Sequence, residues 1–335
     1  MGDTILLLAS FAVILAGALI FTNAIEWAGH RLDLGEGAVG SILAAVGTAM
    51  PETLIPIVAI IEASPDSEGV AIGAIVGAPF LLATIAMMLV GLSALAYSRR
   101  RPQGRELRAH GPTLERDLLV FLPVFAAGLV LGLGTPDGLR LVAAVAFALA
   151  YLIYARRTLR RGGEAEAVEE IGPLILARSS EARDAAPSGG LIVLQLAIGL
   201  AAIVGGAHLF VEELVAVAED LGVEALVLSL VLAPLATELP EKANSFFWVR
   251  EGKDSLALGN ITGAMVFQST VPVAVGLAFT DWDLDRFAII SMTLGLAGGA
   301  IAYGALHRAR RYSAPAILAW GALYAAFLVY VIAAA

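Results

Sequence analysis

Long apolar runs separated by short polar stretches make up most of the sequence. Most runs reach the roughly 20 residues that an α-helix needs to cross a bilayer, and they lack the alternation of barrel strands. The pattern predicts an all-α integral membrane protein with ten transmembrane helices. The predicted helices cover residues 4–28, 38–61, 69–97, 116–133, 138–157, 190–218, 224–249, 255–279, 287–306 and 314–334.

The composition supports a membrane protein. Hydrophobic residues make up 59% of the chain and charged residues 15%, and a soluble domain of this kind would expose large apolar patches. The first apolar run carries Asp3 and no basic residue before it, which favours a first membrane helix over a cleaved signal peptide. The absence of cysteine excludes disulfides, thiolate metal sites and thiol catalysis.

Basic residues are distributed unevenly between the two sides that ten helices define. Almost all of the 21 Lys and Arg residues fall in loops on one side, whereas the opposite side has only Arg140 and Arg286. The positive-inside rule places the basic loops in the cytoplasm and both termini outside the cell. The predicted location is the cell membrane, as a multi-pass protein.

A motif containing a Pro-Glu pair occurs twice, as GTAMPETL around Glu52 and ATELPEKA around Glu241. The number of positions between these two glutamates also separates Gly17 from Gly206, so the repeat extends back to Gly17 without a gap. Because each half has an odd number of helices, the sequence predicts two inverted-topology five-helix repeats, an arrangement typical of secondary transporters. The expected layout is a first repeat at 1–157 with its motif at 40–84, a cytoplasmic linker at 158–188, and a second repeat at 189–335 with its motif at 229–270.

The duplicated motif offers oxygen ligands for a hard cation. A proline has no N–H, so Pro51 frees the carbonyl of Gly47 and Pro240 frees that of Ala236. A threonine stands one helical turn before each glutamate. An intramembrane glutamate is a functional candidate because burying its charge is costly. The predicted cation-binding residues are Glu52, Glu241, Thr48, Thr237, Gly47 and Ala236, and the set suits sodium, calcium or a proton.

The second copy of the motif has four accessory candidates. Glu238 lies four residues before Lys242, so the two could form a helix ion pair beside the site. Alternatively, Glu238 joins Glu241 as a second carboxylate and Lys242 acts as a tethered cation. Asn244 and Ser245 follow Glu241 on the same helical face and are candidate ligands or helix contacts.

A second pair of motifs follows in each half, GAIVGAPF from Gly73 and GNITGAMVF from Gly259. Small residues four apart more often allow close helix packing than bind a ligand, and we expect this of the glycines. Asn260 differs, because an amide within a membrane helix is able to orient or ligate an ion.

These motifs resemble those of the calcium/cation antiporter superfamily, which includes the sodium/calcium exchangers. The resemblance to its G-T-S-x-P-E type motif rests on Gly47, Thr48, Pro51 and Glu52 and on Thr237, Pro240 and Glu241. It covers essentially the whole chain and implies ten helices in inverted halves. By resemblance, Glu52 and Glu241 are the central metal ligands, with Thr48 and Thr237 beside them.

The chain departs from the superfamily's second motif, G-N-x-x-G-S-N. Ala74, Ala78 and Pro79 replace its polar residues in the first half, Ala264 and Met265 replace them in the second, and only Asn260 is retained. Calcium prefers six to eight oxygen ligands, so fewer ligands argue against the superfamily's multi-sodium stoichiometry and weaken the case for calcium. They favour proton coupling through Glu52 or Glu241.

The sequence therefore predicts a secondary transporter rather than an enzyme, a cation antiporter that exchanges calcium for sodium or protons by alternating access. The alternatives are an antiporter for other ions such as Na⁺/H⁺, a membrane enzyme or receptor with a structural polar core, and a channel. No HExxH or GxSxG motif supports an enzyme. We expect no cofactor, no nucleic acid and no obligatory protein partner, only the lipid bilayer and inorganic cations.

Overall fold

A computed structural model of the chain describes residues 2–31, 50–108, 112–160, 172–177 and 187–334. The side chains of 239–244 also lie outside the described part, although their backbone belongs to a helix. The α-helices are α1 (Gly2–Arg31), α2 (Met50–Glu62), α3 (Pro65–Leu81), α4 (Met87–Ala96), α5 (Pro112–Leu131), α6 (Asp137–Arg160), α7 (Gly189–Leu221), α8 (Ala225–Arg250), α9 (Asp254–Phe279), α10 (Arg286–Ala309) and α11 (Ala314–Ala334).

The fold is all-α and suited to a membrane. A π-helical turn, Leu82–Ala86, joins α3 to α4 in one continuous span. Within the described ranges, seven helical spans are long and apolar enough to cross a bilayer. The helix bounds follow the predicted segments closely, except that residues 38–49 of the second segment lie outside the described part. The ten-helix count and the inverted arrangement stay predictions.

Local signals explain where the helices begin and end. The Ser64 hydroxyl accepts a hydrogen bond from the N–H of Ser67 at 3.1 Å, and Pro65 occupies the first position of α3, where its missing N–H costs nothing. Helix α7 ends at Gly222, which has a φ of 68°, a left-handed conformation that glycine adopts without strain.

The span of α3 and α4 forms the centre of the bundle. In the most apolar 18-residue stretch of this span, 78% of the residues are buried. The buried share of the corresponding stretch of α6 is 11%, and the leucines and valines of α6 face outward as expected beside lipid. Close packing of α3 on α8 depends on glycine, since a Cβ at Gly73 or Gly77 would lie 2.4 Å from the carbonyl oxygen of Leu226 or Leu230. The expected packing role of these two glycines is confirmed.

The corresponding glycines of the second half differ in their described surroundings. No described atom lies within 4 Å of a Cβ built at Gly259 or Gly263. Residues 32–49 and the side chains of 239–244 lie outside the described part, so the expectation that these glycines too serve close helix packing stays a prediction.

The loops on the basic side are held together by polar contacts between distant parts of the chain. Strand β1 (Leu107–Arg108) pairs antiparallel with β2 (Arg311–Tyr312). The Arg101 side chain, fully buried, donates to the Asp254 carboxylate at 2.8 Å and so links the α4–α5 loop to the start of α9. Hydrogen bonds from Arg108 and Arg311 lower the pKa of Glu106 beside this pairing.

A segment of the predicted linker packs between α1 and α7. Leu174 is 2% exposed and contacts a small cluster that includes Ala24 and Ile192. The buried amide of Gln195 accepts from the N–H of Leu176 at 2.8 Å and donates to Asn23 at 2.9 Å. These residues of the 158–188 segment therefore have a defined structure, which the sequence pattern did not predict.

Candidate functional site

Glu52 lies in the first turn of α2, and its side chain is directed into the bundle. It is 6% exposed. It lines a cavity of about 10 Å³, about the room that one water molecule needs, where α2, α3 and α8 meet. The other described residues of this wall are Ile55, Ala74, Ala78, Ala233, Pro234 and Thr237.

Thr237 brings the second motif into the same cavity. Its hydroxyl is buried and donates to the carbonyl of Ala233, one turn earlier in α8, at 3.1 Å. Because this bond uses the hydroxyl hydrogen, the lone pairs of the oxygen stay available to a cation. The structure therefore places the first glutamate and the second threonine on one small cavity.

Two alanines contribute to the apolar part of this wall. Ala74 and Ala78 of α3 occupy the positions where the superfamily motif has polar residues, and both line the cavity beside Glu52. Among the described wall residues, Glu52 and Thr237 carry the side-chain oxygens. The departures seen in the second motif of the first half therefore fall directly on the candidate site.

Glu238 faces α9 rather than this cavity. It is fully buried, and its carboxylate accepts a hydrogen bond from the Gln268 amide at 2.9 Å. A bond between a charged acceptor and an amide stabilises the buried carboxylate. The alternative pairing of Glu238 with Lys242 stays a prediction, because the Lys242 side chain lies outside the described residues.

Asn260 and Ser245 also meet between α8 and α9. The Asn260 amide lies 3.4 Å from the Ser245 hydroxyl, at the long end of the hydrogen-bond range, and Ser245 is fully buried. Ser245 is one helical turn after Glu241, so this contact connects the second motif of α9 with the Pro-Glu motif of α8.

Several predicted site residues fall outside the described part of the chain. Gly47 and Thr48 belong to the undescribed range 32–49, and the side chains of Glu241, Lys242 and Asn244 are not described. The backbone of α8 continues as a helix through Pro240, so the carbonyl of Ala236 receives no hydrogen bond from residue 240. Its role as a cation ligand stays a prediction.

The described site is a hard, oxygen-based one. The side-chain oxygens described in the cavity are the Glu52 carboxylate and the Thr237 hydroxyl, which suit sodium, calcium or a proton better than a soft metal. Within the described ranges, no group of three or more His, Asp or Glu residues is placed to hold a metal ion.

The sequence analysis missed one buried carboxylate near this region. Asp117 of α5 is 1% exposed and is hydrogen-bonded to Thr262 of α9 and to Tyr154 of α6. Its signal was visible, since an acidic residue begins the apolar run DLLVFLPVF.

Comparison with known proteins identifies a family for most of the chain. A family model described as "Sodium/calcium exchanger protein" matches residues 3–159 and 191–333, which is most of the chain. Among curated relatives, the inner membrane protein YrbG of Escherichia coli is 26% identical over 257 residues, covering 75% of this chain and 71% of the relative.

Two solved structures share the fold over nearly the whole chain. The H⁺/Ca²⁺ exchanger CAX superposes with a TM-score of 0.74 at 19% identity, covering 98% of this chain and 82% of that one. The sodium-calcium exchanger NCX_Mj superposes with a TM-score of 0.59 at 20% identity and covers 98% of both chains. The predicted resemblance to cation antiporters is confirmed, and the chain belongs to the sodium/calcium exchanger protein family, a family of membrane transporters.

Proposed function

We propose that this protein is a secondary active antiporter that exchanges calcium for sodium or protons. The observation that carries the proposal is the small cavity in which the carboxylate of Glu52 and the hydroxyl of Thr237 meet. Burying an uncompensated carboxylate in a membrane bundle is costly, so a bound cation or a proton is needed to compensate its charge.

The exchange follows from ions sharing one set of ligands. Glu52 and Glu241 would bind each ion in turn, so that calcium leaves before the counterion enters. Thr48, Thr237 and Asn260 would complete the shell with the freed carbonyls of Gly47 and Ala236. Such a shared site near the middle of the bundle is the usual basis of alternating access.

The relatives support the choice of ions. CAX is an H⁺/Ca²⁺ exchanger and NCX_Mj is a sodium-calcium exchanger, and we extend calcium transport to this chain with sodium or protons as the counterion. The apolar Ala74 and Ala78 beside Glu52 leave few ligands for several sodium ions at once. An exchange of Na⁺ for H⁺ without calcium is the second candidate.

We also propose the membrane arrangement. The two halves, 1–157 and 189–335, would form inverted five-helix repeats joined by the 158–188 linker. Almost all Lys and Arg residues lie on the side that carries this linker, so the basic loops would face the cytoplasm and both termini the outside. The partners of the protein would be the lipid bilayer and inorganic cations.

The test is calcium uptake into proteoliposomes driven by an outward sodium gradient or an outward proton gradient. The parent protein should take up calcium saturably, and only when a counterion gradient is present. Glu52→Gln and Glu241→Gln should each lower the uptake at least tenfold, because a neutral amide no longer compensates the cation charge (about 1.4 kcal/mol per factor of ten). Glu251→Gln is the matched control, since Glu251 is an exposed glutamate that bonds Lys253 in a loop.

The possible outcomes separate the competing functions. Glutamine variants that transport as well as the parent would exclude the proposed site. Uptake that neither saturates nor depends on a counterion would identify a channel. A parent that moves no cation under either gradient would favour a membrane enzyme or receptor.

A further inference from the structure

Asp117 is a buried carboxylate that binds three helices together. It lies near the start of α5 and is 1% exposed. One carboxylate oxygen accepts from the Tyr154 hydroxyl of α6 at 2.9 Å, and the other accepts from the Thr262 hydroxyl of α9 at 2.9 Å. Both oxygens are therefore occupied by donors from elements that are distant in sequence.

A neighbouring guanidinium compensates the charge of this carboxylate. The Arg116 guanidinium lies 3.6 Å from the Asp117 carboxylate. It also lies over the ring of Tyr154, with the Arg116 Cζ atom 5.5 Å from the ring centroid. The two hydrogen bonds and the nearby cation offset the cost of burying the charge. Because each Asp117 oxygen already accepts from a hydroxyl of another helix, the cluster is suited to holding helices in place.

The contact with Thr262 connects the N-terminal half of α9 to α5. A helix threonine ordinarily donates to a backbone carbonyl of the preceding turn. Here the nearest such carbonyl, that of Gly259, is 3.5 Å away, while Asp117 is 0.6 Å closer. The hydroxyl of Thr262 therefore donates its shorter hydrogen bond to Asp117 of α5.

Thr262 stands two residues after Asn260, which contacts Ser245 of α8. A shift or rotation of α9 at Thr262 would carry the Asn260 amide away from α8 and from the turn that contains Glu241. We infer that Asp117, acting through Thr262, is a positioning residue that holds Asn260 against the cation site. This inference rests on the function proposed above and deepens it.

The test is the calcium concentration that gives half-maximal uptake in proteoliposomes. Asp117→Asn and Thr262→Val should each raise this concentration about tenfold, the lower end of the range for residues that orient metal ligands. The maximal uptake rate should change less than about twofold, because the central carboxylates are intact. Thr262→Ser keeps the hydroxyl and should have the same half-saturating calcium concentration as the parent protein.

Thr84→Val is the matched control. Thr84 is also a fully buried helix threonine, but its hydroxyl donates within its own helix, to the carbonyl of Phe80 at 2.6 Å. This variant should leave the half-saturating concentration unchanged even where it lowers thermal stability. If Asp117→Asn does not fold, the comparison of Thr262→Val with Thr262→Ser decides the question.

The outcomes distinguish this role from the proposed function. Unchanged half-saturation in a stable Thr262→Val variant would reduce Asp117 to a structural link and overturn the inference, while calcium exchange itself would stand. The inference is also overturned if Thr84→Val raises the half-saturating concentration as much as Thr262→Val does. A parent protein without calcium uptake would overturn the proposed function and this role together.

Discussion

At the scale of single residues, the pair Glu238 and Gln268 shows how the bundle accommodates a buried charge. The Gln268 amide donates to the fully buried Glu238 carboxylate at 2.9 Å. Gln268→Leu removes this charge-assisted bond and should lower the free energy of unfolding by about 2 kcal/mol. Denaturant titration in detergent measures the loss.

The control for this residue is Gln103→Leu, the same substitution at a loop glutamine. Its amide donates to the carbonyl of Gly252 at 3.0 Å, a bond between neutral groups. We expect a loss of about 1 kcal/mol or less, as is usual for a neutral hydrogen bond. Equal losses for the two variants would mean that Glu238 does not depend on Gln268.

At the scale of elements, the glycines of the first motif allow α3 and α8 to pack closely. A Cβ at Gly77 of α3 would lie 2.4 Å from the Leu230 carbonyl of α8, a backbone contact that cannot relax without moving a helix. Gly77→Ala should therefore separate α3 from α8 and cost about 1–3 kcal/mol, as overpacking usually does. The thermal unfolding midpoint in detergent should fall accordingly.

Gly263→Ala in α9 is the counterpart in the other half. No described atom lies within 4 Å of the added methyl group, and alanine favours a helix over glycine by about 1 kcal/mol. The variant should be as stable as the parent or more stable. A loss equal to that of Gly77→Ala would show that both motifs pack in the same way.

At the scale of the whole molecule, the buried pair of Arg101 and Asp254 connects the loops of the two halves. Its 2.8 Å ion pair is accompanied by a 2.9 Å bond from Arg101 to the carbonyl of Val249. Arg101→Met leaves the buried Asp254 carboxylate without its guanidinium and should destabilise the fold by about 3–5 kcal/mol. Unfolding followed by tryptophan fluorescence in detergent measures the effect.

An exposed ion pair in the adjacent turn serves as the control. Lys253 and Glu251 lie 2.7 Å apart, but both side chains are more than half exposed. Solvent screens such a pair, so Lys253→Met should change stability little. If both substitutions had the same small effect, the connection between the loops would not contribute to the fold.

The sequence by itself determined the features that depend on local pattern. Apolar runs of membrane length predict where helices begin and end, because each backbone polar group in a bilayer must be bonded within its own segment. The repeated Pro-Glu motif identified Glu52 and Thr237 as candidates, because an ionisable residue stands out in an apolar run. The family followed from the same motifs.

Only the tertiary structure decided which side chains meet. Asp117 bonds Thr262, 145 positions away, and Glu238 bonds Gln268 on the next helix. The cavity joins Glu52 to Ala74 and Ala78 as well as to Thr237. Such contacts depend on the depth and rotation of each helix in the bundle. These are set by close packing against neighbours, as at Gly77, and not by the hydrophobic pattern of any one segment.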